Sequence, residues 1–155
     1  MNTASELTLI AYGLKKLNCS IVEASGAFDL FHWGHLRYLQ EAKKLGNFLF
    51  VSINSDDSLK KIKGENRPFV NQKCRADILA ALNCVDFVYI FEETLPNETI
   101  SIIQPNIYVK GSEYKNKPMP EIDVVLLYGG VIEFLDTMFN SSTKIMKILE
   151  ENFKE

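Results

Sequence analysis

Gly26-Ala27-Phe28-Asp29-Leu30-Phe31-His32-Trp33-Gly34-His35 follows a short apolar run, Ile21-Val22, and leads into Leu36-Arg37-Tyr38-Leu39-Gln40-Glu41-Ala42. From Trp33 onward, Leu36, Leu39, Ala42 and Leu45 recur at helical spacing until Gly46 ends the pattern, so the quoted stretch is the handover from a strand to a helix. The opening turn of a helix has unpaired N–H groups and a partial positive charge, which together stabilise an anion. Gly34, without a Cβ, lets a phosphate or a base approach the backbone. His32 and His35 can then donate hydrogen bonds to oxygens whose charge grows during phosphoryl transfer, a form of catalysis that needs no protein nucleophile. Two other readings of a His-x-x-His pair are half of a zinc site and plain structural histidines. Against zinc, Cys19, Cys74 and Cys84 show no Cys-x-x-Cys spacing. Against plain packing, these are the only 2 histidines in the chain, and both fall where glycines and aromatics cluster before a helix.

Outward from this turn, Ser20–Ala24 reads as the first strand and Phe48–Ile53 as a second, buried one, with residues 54–58 as the loop after it. A strand, a helix and a second apolar strand make a parallel unit, and ligands of such sheets bind beyond the carboxyl ends of the strands. The His turn and the loop at 54–58 both lie there. Further strands are expected at 86–90 and 106–111, and a last pair at 123–128 and 131–135, split by Gly129-Gly130. Helices are expected at 5–17, at 72–83 with Ile78, Leu79 and Leu82 inward, at 95–103 closed by Pro105, and at 144–149. The expected fold is α/β, a Rossmann-like parallel sheet with helices on both faces. We read one domain over residues 1–155, an N-terminal helix in 1–18 followed by a catalytic core in 19–155. No dinucleotide glycine fingerprint is present, which argues against a nicotinamide or flavin dinucleotide.

At 155 residues, 46% apolar and 24% charged, the chain has the material for one real core. A net charge of −3 argues against a nucleic-acid partner. Three cysteines without framework spacing suit a reducing cytosol. The start lacks a basic n-region and no apolar run approaches the roughly 18 residues of a membrane span, so a soluble cytoplasmic protein is expected.

Other candidate residues cluster on the expected ligand edge. The run Lys60-Lys61-Ile62-Lys63-Gly64-Glu65-Asn66-Arg67-Pro68 reads as a basic, turn-rich loop, either solvated surface or a mobile loop that closes over a triphosphate. Arg75, with Leu79 rather than an acid at i+4, is free to meet an anion or simply to snorkel. Lys110-Gly111 ends a strand on the same edge. Residues 112–121 read as a flexible substrate loop. Ser141-Ser142-Thr143 ahead of the final helix serve as an N-cap or as a second anion site.

Phe28-Asp29 with His32-Trp33-Gly34-His35 resembles the signature of the cytidylyltransferase-like nucleotidyltransferases, which join a nucleoside triphosphate to a phosphorylated small molecule and release pyrophosphate. Six further stretches, in order, look like the branch of that family acting on D-glycero-β-D-manno-heptose 1-phosphate. They are Asn54-Ser55-Asp56, residues 63–68, Arg75 with Val85-Asp86, Val109 to Tyr114, Gly129-Gly130, and Ser141 to Ile145. The resemblance implies that Ala27 and Phe28 border the nucleotide and that His32 and His35 hold the triphosphate through the transition state. It further implies that Lys110, Ser141, Ser142 and Thr143 bind the nucleotide, and that Lys63 and Arg75 neutralise phosphates, Lys63 within the catalytic set. Asp29 and Glu113 are assigned to the substrate side. ATP and a sugar 1-phosphate are the implied substrates, Mg²⁺ is expected with the triphosphate rather than on protein side chains, and a homodimer is the implied assembly. No kinase accompanies the domain in this sequence. Two alternatives stay open: a cytidylyltransferase for glycerol 3-phosphate or a similar alcohol phosphate, favoured by Trp33 inside the motif, and a non-catalytic nucleotide-binding regulator.

Overall fold

Strand β1 (Ile21–Gly26) alternates between two buried surfaces, Val22 and Ala24 turning to one and Ile21 to the other. The structure is a computed structural model and describes residues 3–136. Strands β2 (Phe48–Asn54), β3 (Phe87–Phe91), β4 (Ile107–Gly111) and β5 (Val131–Leu135) join β1 in one five-stranded sheet of order β3-β2-β1-β4-β5. Every neighbouring pair is parallel, with Val22 beside Leu49 on one side and beside Ile107 on the other. Burial on both faces explains why β1 and β2 read as nearly continuous apolar runs rather than alternating ones.

Helix α1 (Ala4–Lys16) covers one face, where Leu7 and Ala11 meet Ile21, Phe50 and Ile103. Helix α2 (Trp33–Lys43) covers the other through Leu39 and Ala42, against Val22, Ala24, Leu49 and Val51. Each of the larger side chains, the leucines, isoleucines, valines and Phe50, contributes about 1.5–3 kcal/mol of burial before conformational entropy is counted. Helices α3 (Asp56–Lys63) and α4 (Gln72–Ala80) follow β2; α5 (Asn97–Ile103) precedes β4 and α6 (Glu121–Leu127) precedes β5. Their starts are written locally. Thr3 forms a capping box with Glu6, Ser55 accepts from the amide of Ser58, and Asn71 accepts from that of Cys74. No helix among the described residues is long and apolar enough to cross a membrane. The chain leaves β1 for β2 and β3 on one side and returns to β4 and β5 on the other. The crevice at this reversal opens at the carboxyl ends of β1 and β4.

Several expectations are corrected. The strand expected at 123–128 is the helix α6, so β5 alone follows it among the described residues. Ile122-Asp123-Val124-Val125-Leu126-Leu127 is too short and uniform for its period to tell helix from strand. Pro120 at its N-cap, with Glu121 and Asp123 in the first turn, favours the helix; Val125 points inward while Leu126 and Leu127 are exposed. The loop expected at 54–58 is the capped start of α3, and Lys60 to Lys63 form its last turn rather than an irregular loop. In α4, Leu79 is buried but Ile78 is exposed, and the helix ends at Ala80. Helix α5 begins at Asn97 with Pro96 as its cap, which leaves Thr94 and Leu95 outside it. The segment read as a flexible loop at 112–121 carries a 3-10 turn at Ser112–Tyr114 and ends in α6. The final helix and Ser141, Ser142 and Thr143 lie outside the described residues.

Candidate active site

The reversal crevice is a cleft of about 460 Å³. One rim is the turn after β1. Gly26 ends the strand so closely packed that a Cβ there would lie 3.3 Å from the Phe28 ring. Phe28 itself is buried and held at a φ of 47°, a left-handed conformation that costs a bulky residue energy and is kept only where the surroundings impose it. The reward is placement, because the chain turns within a few residues and starts α2 with His32 as its N-cap.

His32 and His35 both line the cleft, and their rings stack with centroids 3.9 Å apart. Phe28 and Phe31 flank His35 at 5.2 and 5.6 Å. Burial, reinforced by His32 and then Lys63, pushes His35 down to about 4, and burial also lowers His32. At neutral pH both imidazoles are therefore uncharged in the free protein, each with one N–H to donate. The Nδ1 of His35 is buried with no hydrogen-bond partner among the described residues. Within α2 the first intrahelical bond runs from the amide of Leu36 to the carbonyl of His32, so the amides of Gly34 and His35 have no carbonyl ahead of them in the helix.

Lys63, the last residue of α3, lines the cleft as an exposed side chain, and no carboxylate among the described residues forms an ion pair with it. Burial first, and Arg67 second, lower its affinity for its proton. Across the cleft Lys110 is nearly enclosed. Its Nζ donates to Ser25 Oγ at 3.2 Å and pairs with Glu121 Oε1 at 3.1 Å. Tyr38 closes the floor by donating its hydroxyl to the carbonyl of Val109. Glu113 folds over Gly111, where any Cβ would strike its carboxylate. Ala27, Phe28, Asp29 and Glu113 all contribute to the wall.

Two candidates serve the scaffold instead of facing a ligand. Arg75 is 1% exposed, and its guanidinium donates to the carbonyls of Val70, Ala27 and Asn54 and to Asp56 Oδ1, all within 2.9 Å. It is absent from the cleft lining, so the reading of Arg75 as a phosphate ligand is corrected to a structural one. Asp29 lines the cleft, but its Oδ1 accepts from the amides of Phe69 and Val70, and its Oδ2 pairs with Arg67 Nη2 at 2.7 Å. Its oxygens are committed to holding residues 67–70 against the His turn, which corrects its assignment to direct substrate contact. Sequence reasoning missed Arg67, Tyr38 and Glu121 as cleft residues. Arg67 carried a signal, a guanidinium in a Gly- and Pro-bounded basic run; Tyr38 and Glu121 carried none.

Comparison with known proteins agrees with this geometry. The Cytidylyltransferase-like family profile matches residues 24–148. The bifunctional protein HldE of Aliarcobacter butzleri is 41% identical over 99% of this chain and 32% of its own length. Its namesakes in Campylobacter jejuni subsp. jejuni and Nitratiruptor sp. are 44% and 48% identical over 89% and 77% of this chain, and 29% and 26% of their own lengths. The chain thus spans about a third or less of these curated relatives. Among solved structures, the lipopolysaccharide core biosynthesis protein from Thermoplasma volcanium superposes with a TM-score of 0.63 at 26% identity, over 76% of this chain and 98% of that one. The pantoate-β-alanine ligase from Francisella tularensis, solved with an ATP compound and β-alanine, gives 0.65 at 16% identity over 100% of this chain and 79% of that one, a likeness of fold. With an all-parallel sheet, a His turn at its topological switch and a family match over most of its length, the chain belongs to the cytidylyltransferase-like nucleotidyltransferase family.

Proposed function

We propose that this chain transfers AMP from ATP to a sugar 1-phosphate, with D-glycero-β-D-manno-heptose 1-phosphate as acceptor, and releases pyrophosphate. The observation that carries the reading is the stacked His32–His35 pair at the opening turn of α2, lining the cleft. The likeness to bifunctional proteins HldE and to a lipopolysaccharide core biosynthesis protein supports the choice of acceptor.

An oxygen of the acceptor's phosphate attacks the α-phosphorus of ATP. A P–O bond forms, the bond from the α-phosphorus to the α,β-bridging oxygen breaks, and pyrophosphate leaves with that electron pair. His32, His35 and the first-turn amides donate hydrogen bonds to phosphoryl oxygens, and Lys63 adds a positive charge. Catalysis is then positioning and charge stabilisation, with no covalent enzyme intermediate. Mg²⁺ enters the proposal through the family resemblance, and bound with ATP it would offset the triphosphate's charge. A homodimer working in the cytoplasm belongs to the same proposal, on the strength of the family resemblance.

Pyrophosphate release, measured with ATP and CTP against a panel of sugar 1-phosphates and glycerol 3-phosphate, tests the reading. ATP should exceed CTP by at least about tenfold in kcat/KM, because a base of the wrong kind leaves buried donors or acceptors unpaired. His35→Ala should lower kcat by about 10²–10³-fold and move the nucleotide KM much less. Faster release with CTP and glycerol 3-phosphate moves the protein to the cytidylyltransferase branch. Nucleotide binding without turnover makes it a regulator.

A further inference from the structure

We propose that Arg67 and Lys63 form a two-pronged phosphate clamp on one wall of the cleft, and that Asp29 is the positioning residue that aims the guanidinium. The inference rests on the nucleotidyl-transfer reading, which supplies phosphate-bearing ligands for this cleft.

Arg67 is fixed from two sides. Its Nη2 meets Asp29 Oδ2, and its guanidinium lies over the Phe69 ring, 4.4 Å from the centroid. Asp29 is in turn anchored by the amides of Phe69 and Val70, so the turn that carries the carboxylate and the segment that carries the arginine are tied together beside the ion pair. The side chain is 18% exposed, and its Nε is buried with no acceptor among the described residues. A buried N–H on a charged group without an acceptor is costly, and a fork-shaped cation matches a phosphate in two-point contact.

Lys63 supplies the independent observation. It lines the cleft with Arg67, close enough for each charge to oppose the other, and it is exposed to the cleft with no ion-pairing carboxylate among the described residues. Asp29 offers one negative charge to these two cations. The charge of Arg75 is matched separately by Asp56. If Arg67 served only to tie down its loop, the Asp29 pair would suffice and nothing would call for a second cation beside it. A polyanion seated between the two ends meets the exposed part of the Arg67 side chain, relieves the repulsion and restores the favourable state of Lys63. Arg75 makes the contrast, since its donors already end on backbone and Asp56.

The ligand is a phosphate group, which comes either from the nucleotide's triphosphate or from the acceptor. Steady-state kinetics of Arg67→Gln, with ATP and the sugar 1-phosphate varied separately, distinguishes the sources. Calorimetric titration with tripolyphosphate and with the sugar phosphate alone reads binding without turnover. The KM of the clamped substrate should rise about 10- to 100-fold, more at low than at high salt, while kcat changes by less than about threefold. A rise for ATP with lost tripolyphosphate binding assigns the triphosphate; a rise confined to the sugar phosphate assigns the acceptor. Because Arg67→Gln strands the Asp29 charge, the double variant Asp29→Asn/Arg67→Gln, which buries no lone charge, is measured beside it. If a folded form of either variant keeps both KM values and tripolyphosphate binding within about twofold of the parent, the clamp is wrong. A parent protein that binds tripolyphosphate through Arg67 yet releases no pyrophosphate with any acceptor sinks the proposed reaction and leaves the clamp intact.

Discussion

Arg75 joins three stretches far apart in sequence: the turn at Ala27, the β2–α3 junction at Asn54 and Asp56, and the loop at Val70. Replacing it with leucine removes the donor to three carbonyls and leaves the Asp56 carboxylate without its partner. We expect Arg75→Leu to lose about 3–5 kcal/mol of stability in urea unfolding. A variant as stable as the parent but unable to bind nucleotide would return Arg75 to the ligand. Sequence alone showed only its own helix, where Leu79 stands at i+4, so a residue whose partners come from elsewhere looked free. His32 and His35 were legible for the opposite reason, since strand, turn, glycine and helix pattern all lie within fifteen or so neighbouring positions.

Among the elements, α6 is one whose misreading touched the site. Its apolar run fits strand and helix alike, and only as a helix does it set Glu121, its first residue, against Lys110. That pair is nearly buried, at 12% and 7% side-chain exposure, and it neutralises the cation on the β4 side of the cleft. Glu121→Gln leaves Lys110 with the Ser25 hydroxyl but without its carboxylate partner, a deficit a bound anion makes good. Tripolyphosphate affinity at low ionic strength should therefore rise by about three- to tenfold, read by calorimetric titration, with some loss of thermal stability in the free protein. Unchanged affinity would place Lys110 beyond the anion's reach. The basic run at Lys60 to Lys63 was misjudged on similar grounds, because α3 is eight residues long and offers only Leu59 and Ile62 as apolar markers.

At the scale of the molecule, the parallel order was readable because each strand is an apolar run bounded by turn residues, and strands between helices imply parallel pairing. The polar charge hidden in the sheet was not readable. Glu23 on β1 is fully buried, with Ser52 donating to Oε1 and no partner for Oε2 among the described residues. Burial pushes its carboxyl up to about 7 against the opposing pull of Ser52 and Lys110. Tyr108 and Tyr128 share this field, each raised by burial and by Glu23. Below the ordinary carboxyl range, folded and unfolded chains both keep the proton and nothing is lost. As pH rises through about 7 the unfolded chain has released it and the folded chain resists, so stability falls by roughly 3 kcal/mol in total. His35 acts in the opposite sense, costing stability as pH drops from the ordinary histidine range towards about 4. Glu23→Gln isolates the first effect. It should match the parent in urea unfolding near pH 4 and exceed it by roughly 2–3 kcal/mol at pH 8. A constant difference across that range would show that Glu23 is not the titrating group.

The stacked histidines have a use outside chemistry. The chain contains 2 histidines and both line the cleft, one ring on the other. Any imidazole-selective signal, a proton resonance shifted by the neighbouring ring or an acylating reagent's absorbance, comes from the cleft with no background from the rest of the chain. The protein thus carries its own spectroscopic label, and occupancy of the site can be followed in unmodified material.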